Sequence, residues 1–385
     1  MSEYQYYEFQ SIDRRLTEAA MQRLRAYSSR AEITPTRFVN EYNWGDFKGD
    51  QDAWMEKYFD AFLYVANWGT RILKLSLPAD WLEPEIVRAY CYENVTSFLQ
   101  KNRNAILTFC SELEDGDDCE SQGLLSSLIP VRAELARGDH RALYLGWLVA
   151  VQNGELDDDV IEPPVPDGLG QLSVSLEALV DFLRVDSDLL YAAAQTSPAR
   201  VELPTRRTEI AAWIAALPLV EKDEILVRLI IAPDNPAPPA ELLQRFIKAS
   251  AADRPDTISS PDLRRTVGAL LDAGEKRRTE REQATARKAD AEKARREREA
   301  AVARAQALDR LAGQEPRLWA DIDRLVLTKL PKNYDQAVKH LVDLRDLATR
   351  AGGDGRREFL ARLDSFYTTH ARKPSLLERV VRAGL

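Results

Sequence analysis

The alternation of Leu73, Leu75 and Leu77 with Arg71, Lys74 and Ser76 predicts a strand with one buried face over residues 71–77. Residues 4–12 are aromatic and β-prone, and Thr17 stands where a helix cap would, ahead of Ala20, Met21, Leu24 and Tyr27. Residues 32–44 read as a second extended segment, broken by Pro35. Residues 52–67 carry Trp54, Tyr58, Ala61, Phe62 and Val65 at i, i+4, i+7, i+8 and i+11, one face of an amphipathic helix that Gly69 stops. Residues 95–99 and 105–110 flank a polar turn at 101–104 and read as a hairpin. The order β, α, β, α, β and hairpin predicts a small α+β sandwich with helices on one side of a sheet, for which a ferredoxin-like arrangement is the first expectation.

From Leu124 onward the strand signals vanish. Helices are expected at about residues 124–137, 139–153, 171–184, 186–195, 205–216, 220–231, 239–250 and 260–272, punctuated by the prolines of 157–167 and 233–239. Residues 275–312 then run without a glycine or a proline. Between 275 and 299 alanine, glutamate, lysine and arginine dominate, all strong helix formers. Opposite charges recur four apart, as at Lys288 with Glu292 and Glu292 with Arg296, each pair adding about 0.2–0.5 kcal/mol to an isolated helix. The first large aliphatic is Val302, so the heptads of a coiled coil are missing, and a solvated spacer of about 55 Å is the leading expectation. An alanine-seamed hairpin or dimer and a nucleic-acid arm are the alternatives. Beyond it, Leu318, Ile322, Leu325 and Val326, then Tyr334, Val338, Leu341 and Leu344, then Phe359, Leu363 and Phe366 mark three short amphipathic helices.

The predicted class is therefore α+β and predominantly helical. Its parts are a small α+β domain (1–120), an irregular helical domain (121–273), a long charged helix (274–313) and a basic three-helix module (314–385). Charge sharpens this division. The net charge of −9 combines 26 basic and 18 acidic residues in 274–385 with 27 and 44 in 1–273, an acidic body joined to a basic C-terminal third. Cys91, Cys110 and Cys119 are too few and too unpatterned for a disulfide framework or a structural zinc. Residues 1–7 lack the basic start and apolar core of a secretory leader, and the most apolar windows are about half the length of a membrane span. A cytoplasmic protein with no membrane contact and no cofactor is expected.

The segments YQYYEF, RFVNEYNWGDFKGD and HARKPSLLERVVRAGL resemble pieces of a bacterial protein family to which no activity is attached. The last also resembles the tails of some bacterial proteins with a SWIM zinc finger. The zinc ligands of that finger, a CxC pair followed by CxH, have no counterpart in the chain, so the resemblance implies no metal.

Candidate chemistry is sparse. Acidic residues 112–120 offer carboxylates to a hard cation, but Gly116 does not fall at the sixth position of an EF-hand loop, and a solvated linker is expected. Residues 42–50 form the most functional-looking loop: its glycines bend the backbone, and Trp44, Asp46, Phe47 and Lys48 are candidates for ligand or partner contact, unless Trp44 and Phe47 simply close over the sheet edge. Tyr4, Tyr6, Tyr7 and Phe9 could stack bases, but they sit in the acidic part. His140, His340 and His370 are far apart, and no nucleophile, phosphate-loop or dinucleotide motif occurs, so no catalytic residue is assigned. Arg356, Arg357, Arg372, Lys373, Arg379 and Arg382 are candidates for polyanion contact. The leading expectation is a non-enzymatic interaction or scaffold protein with an unknown protein partner. A nucleic-acid-associated protein using the basic third, and an enzyme whose site is not readable from motifs, are the alternatives.

Overall fold

A computed structural model describes residues 3–113, 121–199, 207–231 and 264–385, together with Leu242, Arg245, Phe246 and Ala249. Of the described residues 58% are helical and 14% lie in strands, so the fold is α+β and predominantly helical, and the chain divides into two compact units, Met1–Arg281 and Glu282–Leu385.

The first unit is built on a seven-stranded antiparallel sheet. Its strands are β1 (Gln5–Gln10), β2 (Glu32–Ile33), β3 (Arg37–Tyr42), β4 (Ala61–Ala66), β5 (Thr70–Pro78), β6 (Thr96–Lys101) and β7 (Asn104–Glu112), in the order β2-β3-β1-β4-β5-β7-β6. Strands β3 and β4 both lie antiparallel to β1, on either side of it, and are joined through helix α2 (Gln51–Lys57). That makes one split β-α-β crossover, and β1, helix α1 (Glu18–Arg25) and β2 make a second, with β3 antiparallel to both strands and between them. The order β2-β3-β1-β4 with α1 and α2 on one face is the ferredoxin-like arrangement expected, and the sheet is extended beyond β4 by β5, β7 and β6, with β7 between the other two.

The helix expected over 52–67 is corrected: it ends at Lys57, and Ala61–Ala66 form the central strand β4. All six β4 residues are buried, Ala61, Leu63 and Val65 on one face and Phe62, Tyr64 and Ala66 on the other. A strand covered on both sides is apolar at every position, and a helical period can be drawn through such a run as easily as a period of two.

Helices lie on both faces, not one. On the first face Tyr7, Phe9, Phe38 and Phe62 pack with Trp54 and Met55 of α2 and Leu24 of α1 (Glu18–Arg25), whose cap Thr17 accepts from the Ala20 amide at 3.2 Å. On the second face Tyr6, Leu63, Leu75, Leu107 and Phe109 share a single core with α4 (Leu124–Leu128), α5 (Pro130–Ala136), α6 (Arg141–Gln152), α7 (Val174–Leu183) and α8 (Ser187–Ala194). Helix α3 (Pro84–Arg88) adds Val87 to the same core. No boundary between cores falls at residue 120. The acids and polar turn that suggest one interrupt the sequence but not the packing.

Helix α6 is the centre of that core, with every residue from Arg141 to Val151 buried. Gly146 lets it close on the β6–β7 hairpin: a Cβ there would lie 2.2 Å from Thr96 Oγ1 and 3.0 Å from the Phe109 ring. Charges drawn into the interior are paired. Arg141 meets Asp139 at 2.7 Å and donates to the carbonyls of Gly168 and Gln171, and Glu162 meets Arg265 at 2.6 Å and accepts from Tyr144.

Further along unit 1 are α9 (Arg207–Ala216) and α10 (Leu219–Ile231), neither of which has a buried side chain among those described. The helix expected at 239–250 falls mostly outside the described residues. The one expected at 260–272 is not separate from the spacer: a single helix, α11, runs from Val267 to Leu311. Its first turns belong to unit 1. Val267 and Leu270 are buried, Arg278 meets Asp186 at 2.7 Å, Arg281 meets Asp188 at 2.9 Å, and the Arg277 guanidinium lies 4.0 Å above the Tyr191 ring. Residues 282–301 are mostly exposed, and Glu292 there pairs with Arg296 at 2.9 Å and with Arg295 at 3.0 Å.

Unit 2 closes around the end of α11. Leu308 packs with α12 (Glu315–Leu327), α13 (Pro331–Ala351), α14 (Gly353–Thr369) and α15 (Pro374–Arg382). The three expected helices are thus joined by a fourth: residues 374–382 read as a basic tail, yet Leu376 and Val380 are fully buried. Leu376, Leu377, Val380 and Val381 do fall at i, i+1, i+4 and i+5, but in a segment of only nine residues flanked by basic side chains.

Two outcomes test this packing. Gly146→Ala should lower stability by about 1–2 kcal/mol in denaturant titration, overpacking outweighing the gain in helix propensity. Adding Thr96→Ala should recover much of that loss, because the Thr96 hydroxyl is buried with no hydrogen-bond partner. Replacing Ala289 and Ala291 by proline should reduce the helical circular dichroism but leave both units resistant to protease, since that stretch of α11 is solvated.

Candidate functional site

The loop between β3 and α2 is held by one buried side chain. Gln5, only 2% exposed in β1, accepts through Oε1 from the hydroxyls of Tyr7 at 2.7 Å and Tyr64 at 3.2 Å, and its amide donates to the Gly45 carbonyl at 3.1 Å and Asp46 Oδ1 at 3.2 Å. Burial raises both phenols above the ordinary tyrosine range, so they stay protonated donors. Gly45 turns at φ +80°, and Asp50 caps α2 by accepting from the amides of Asp52 and Ala53.

The two aromatic candidates separate. Phe47 folds inward, its ring 5.1 Å from Tyr7 in a stacked arrangement and 4.8 Å from Trp54 edge-on. It can do so because position 49 is glycine: a Cβ there would lie 2.6 Å from the Phe47 ring. Trp44 goes the other way and is 72% exposed, with the Arg30 guanidinium 5.8 Å from its ring centroid.

Arg30 comes from the loop between α1 and β2, which is equally fixed. Ser28 Oγ accepts from the amides of Arg30 and Ala31 and from the Asn40 side chain at 3.1 Å, and Arg25 donates to the Ala31 carbonyl at 2.6 Å. Between the loops lies a depression of about 290 Å³, lined by Tyr27, Ser29, Arg30, Glu41, Asn43, Trp44, Asp46 and Lys48. It offers an exposed indole, two cations, two carboxylates and neutral hydrogen-bonding groups on a rigid frame. That set suits recognition of a polar chain segment. Trp44, Asp46 and Lys48 are thus brought together while Phe47 packs away from the depression against Tyr7 and Trp54, and Arg30, Ser28, Asn40 and Gln5 are added by the structure. Only Gln5 left a trace in sequence, as a polar residue on the inward face of an aromatic strand.

The basic candidates are not assembled into one surface. Arg356 and Arg357 lie near the start of α14, and Arg372 and Lys373 follow its end, about 24 Å away along the helix. Arg357 pairs with Asp354, Arg379 with Asp335 at 2.8 Å, and Lys373 donates to the Val326 carbonyl at 3.1 Å, while Arg362 stacks 4.8 Å over Trp319. Arg356, Arg372 and Arg382 are exposed.

Burial pushes the Cys91 and Cys110 thiols up to about 11, and burial also lowers His140 in unit 1. His340 stands 3.9 Å from Asp343, and His370 lies edge-on to Phe366 at 4.5 Å. Residues 114–120, with most of the acidic loop and Cys119, lie outside the described residues. No described helix is long and apolar enough to cross a membrane. No protein-family model, curated protein or solved structure matches the chain.

The opposite placements of Trp44 and Phe47 give a paired expectation. Phe47→Ala should cost about 2–4 kcal/mol in denaturant titration, whereas Trp44→Ala should stay within about 0.5 kcal/mol of the parent, since little of its ring is buried.

Proposed function

We propose that the protein is a non-enzymatic, cytoplasmic interaction or scaffold protein that engages a protein partner through the depression between the α1–β2 and β3–α2 loops. The observation that carries this reading is Trp44: a tryptophan left 72% exposed on a loop fixed by a buried glutamine, beside a guanidinium. Tryptophan and arginine are the residue types that most often dominate binding energy at protein interfaces. Rigid presentation lowers the entropy cost of ordering the contact on binding. The acidic body and the basic C-terminal unit supply further surfaces of opposite sign, which supports a bridging role.

The nucleic-acid alternative draws on the exposed Arg356, Arg372 and Arg382, but it is weakened because Arg357, Arg362, Lys373 and Arg379 are engaged within their own unit. Pull-down from native cells with the full chain, read by mass spectrometry, tests the leading reading. A partner retained by the parent should be lost at least tenfold by Trp44→Ala and by Arg30→Ala, with unchanged melting temperatures. Equal recovery by parent and variants would remove the depression from consideration. Salt-sensitive retention of RNA or DNA, abolished by Arg356→Glu and Arg372→Glu, would favour the alternative.

A further inference from the structure

The depression beside Trp44 lies where an edge of the sheet is left open. Along β3 the main-chain groups alternate in direction. The Thr36 carbonyl accepts from the Ser11 amide at 2.8 Å, on the side of β1, whereas the Arg37 carbonyl accepts from the Thr34 amide at 2.8 Å, on the side of β2. An antiparallel ladder keeps this alternation, so Phe38, Asn40 and Tyr42 turn their N–H and C=O groups to β1, while Val39 and Glu41 turn theirs outward. Strand β2 pairs Glu32 with Val39 and ends there. In the same register Arg30 would stand opposite Glu41, but Ser28 Oγ takes the amides of Arg30 and Ala31, both at 3.2 Å, and the chain bends away first. Glu41, which lines the depression, is thus left with an outward N–H and C=O that have no partner among the described residues.

We infer that the partner contributes a short extended segment that lies in the depression as an added strand, continuing the line of β2 along β3, with a basic residue opposite Glu41 and an apolar one against Trp44. This rests on the reading that the depression is the contact surface. Three observations select that occupant. The first is the main chain: one residue of an antiparallel segment exchanges both hydrogen bonds with Glu41, and such pairing supplies affinity while alternate side chains supply specificity. The second is charge. Glu41 is exposed with no ion-pair partner among the described residues, in a body of 44 acidic and 27 basic residues, and opposite charges directly across a ladder attract. The third is length. Only Glu41 is open between the end of β2 and the bend at residues 43–45, which suits a few residues of extended chain and not the long edge of another sheet.

The probe is a set of linear peptides enriched on the full chain from a phage-displayed random library. Those weakened at least tenfold by Trp44→Ala occupy the depression, and they should share a lysine or arginine. Glu41→Pro removes an N–H that has no partner in the chain, a change that edge strands tolerate, so the melting temperature should hold while these peptides weaken at least tenfold. Glu41→Ala keeps the main chain and should weaken them by less than about fivefold. Because Glu41→Pro could still disturb β3, amide hydrogen exchange of the parent gives a second measurement. In the free chain the Glu41 amide should exchange at least tenfold faster than those of Phe38 and Asn40, and the bound peptide should slow it at least tenfold. Peptides sensitive to Trp44→Ala but indifferent to Glu41→Pro, or a Glu41 amide left unprotected in the complex, would overturn the added strand and leave the depression as the contact surface. Failure to enrich any peptide sensitive to Trp44→Ala would remove the depression and the added strand with it.

Discussion

Burial of both faces of one sheet is the constraint from which the rest of unit 1 follows. Strand β4 must be apolar at every position because α1 and α2 cover one side and α4–α8 the other. The same constraint bears on β1, which lies between β3 and β4 and yet carries Gln5 and Glu8 at 2% and 3% exposure. A buried polar group left without a partner costs roughly 1–3 kcal/mol, so each of these residues organises its surroundings. Glu8 draws in Arg37 at 2.7 Å and the Tyr6 hydroxyl at 2.8 Å. Gln5 reaches out to the Gly45 carbonyl and Asp46, and thereby sets the loop that presents Trp44. The candidate site is in this sense a consequence of satisfying a glutamine inside a sheet.

The second face shows how a large helical layer is locked to the same sheet. Gly146 removes the side chain that would hold α6 away from Thr96 and Phe109. Arg141, inside the layer, is compensated by Asp139 and two carbonyls, and the loop carrying Glu162 is joined to Arg265, two residues before α11 begins. Such pairs add little net stability over apolar packing, but losing one partner would strand a buried charge, so they select one arrangement over others. The long helix inherits its starting direction within unit 1 from this junction and from the arginines that grip the start of α8.

Three kinds of surface follow. The sheet edge offers a polar depression with an exposed indole, α10 exposes Leu219, Val220, Ile230 and Ile231 around Asp223, and the basic unit offers arginines that are partly engaged at home. They occur on separate elements of the chain.

Much of the helical part was legible in the sequence because local signals suffice there. Thr17 as a cap, the alanine-rich charged stretch of α11 and the 3.6-residue stripes of α12–α14 each depend on neighbours within a few positions. The strand β5 and the β6–β7 hairpin were legible for the same reason, through alternation and a polar turn. What only the tertiary structure decided depends on contacts far apart in sequence. The identity of β4 turned on which elements cover its two faces, and the union of residues 3–113 with α4–α8 turned on a shared core that no linker composition reveals. In the loop at 42–50, Trp44 and Phe47 are indistinguishable by type and spacing. Gly49, Tyr7 and Trp54 drew Phe47 inward and left Trp44 in solvent, because a side chain's exposure is set by the space its neighbours leave.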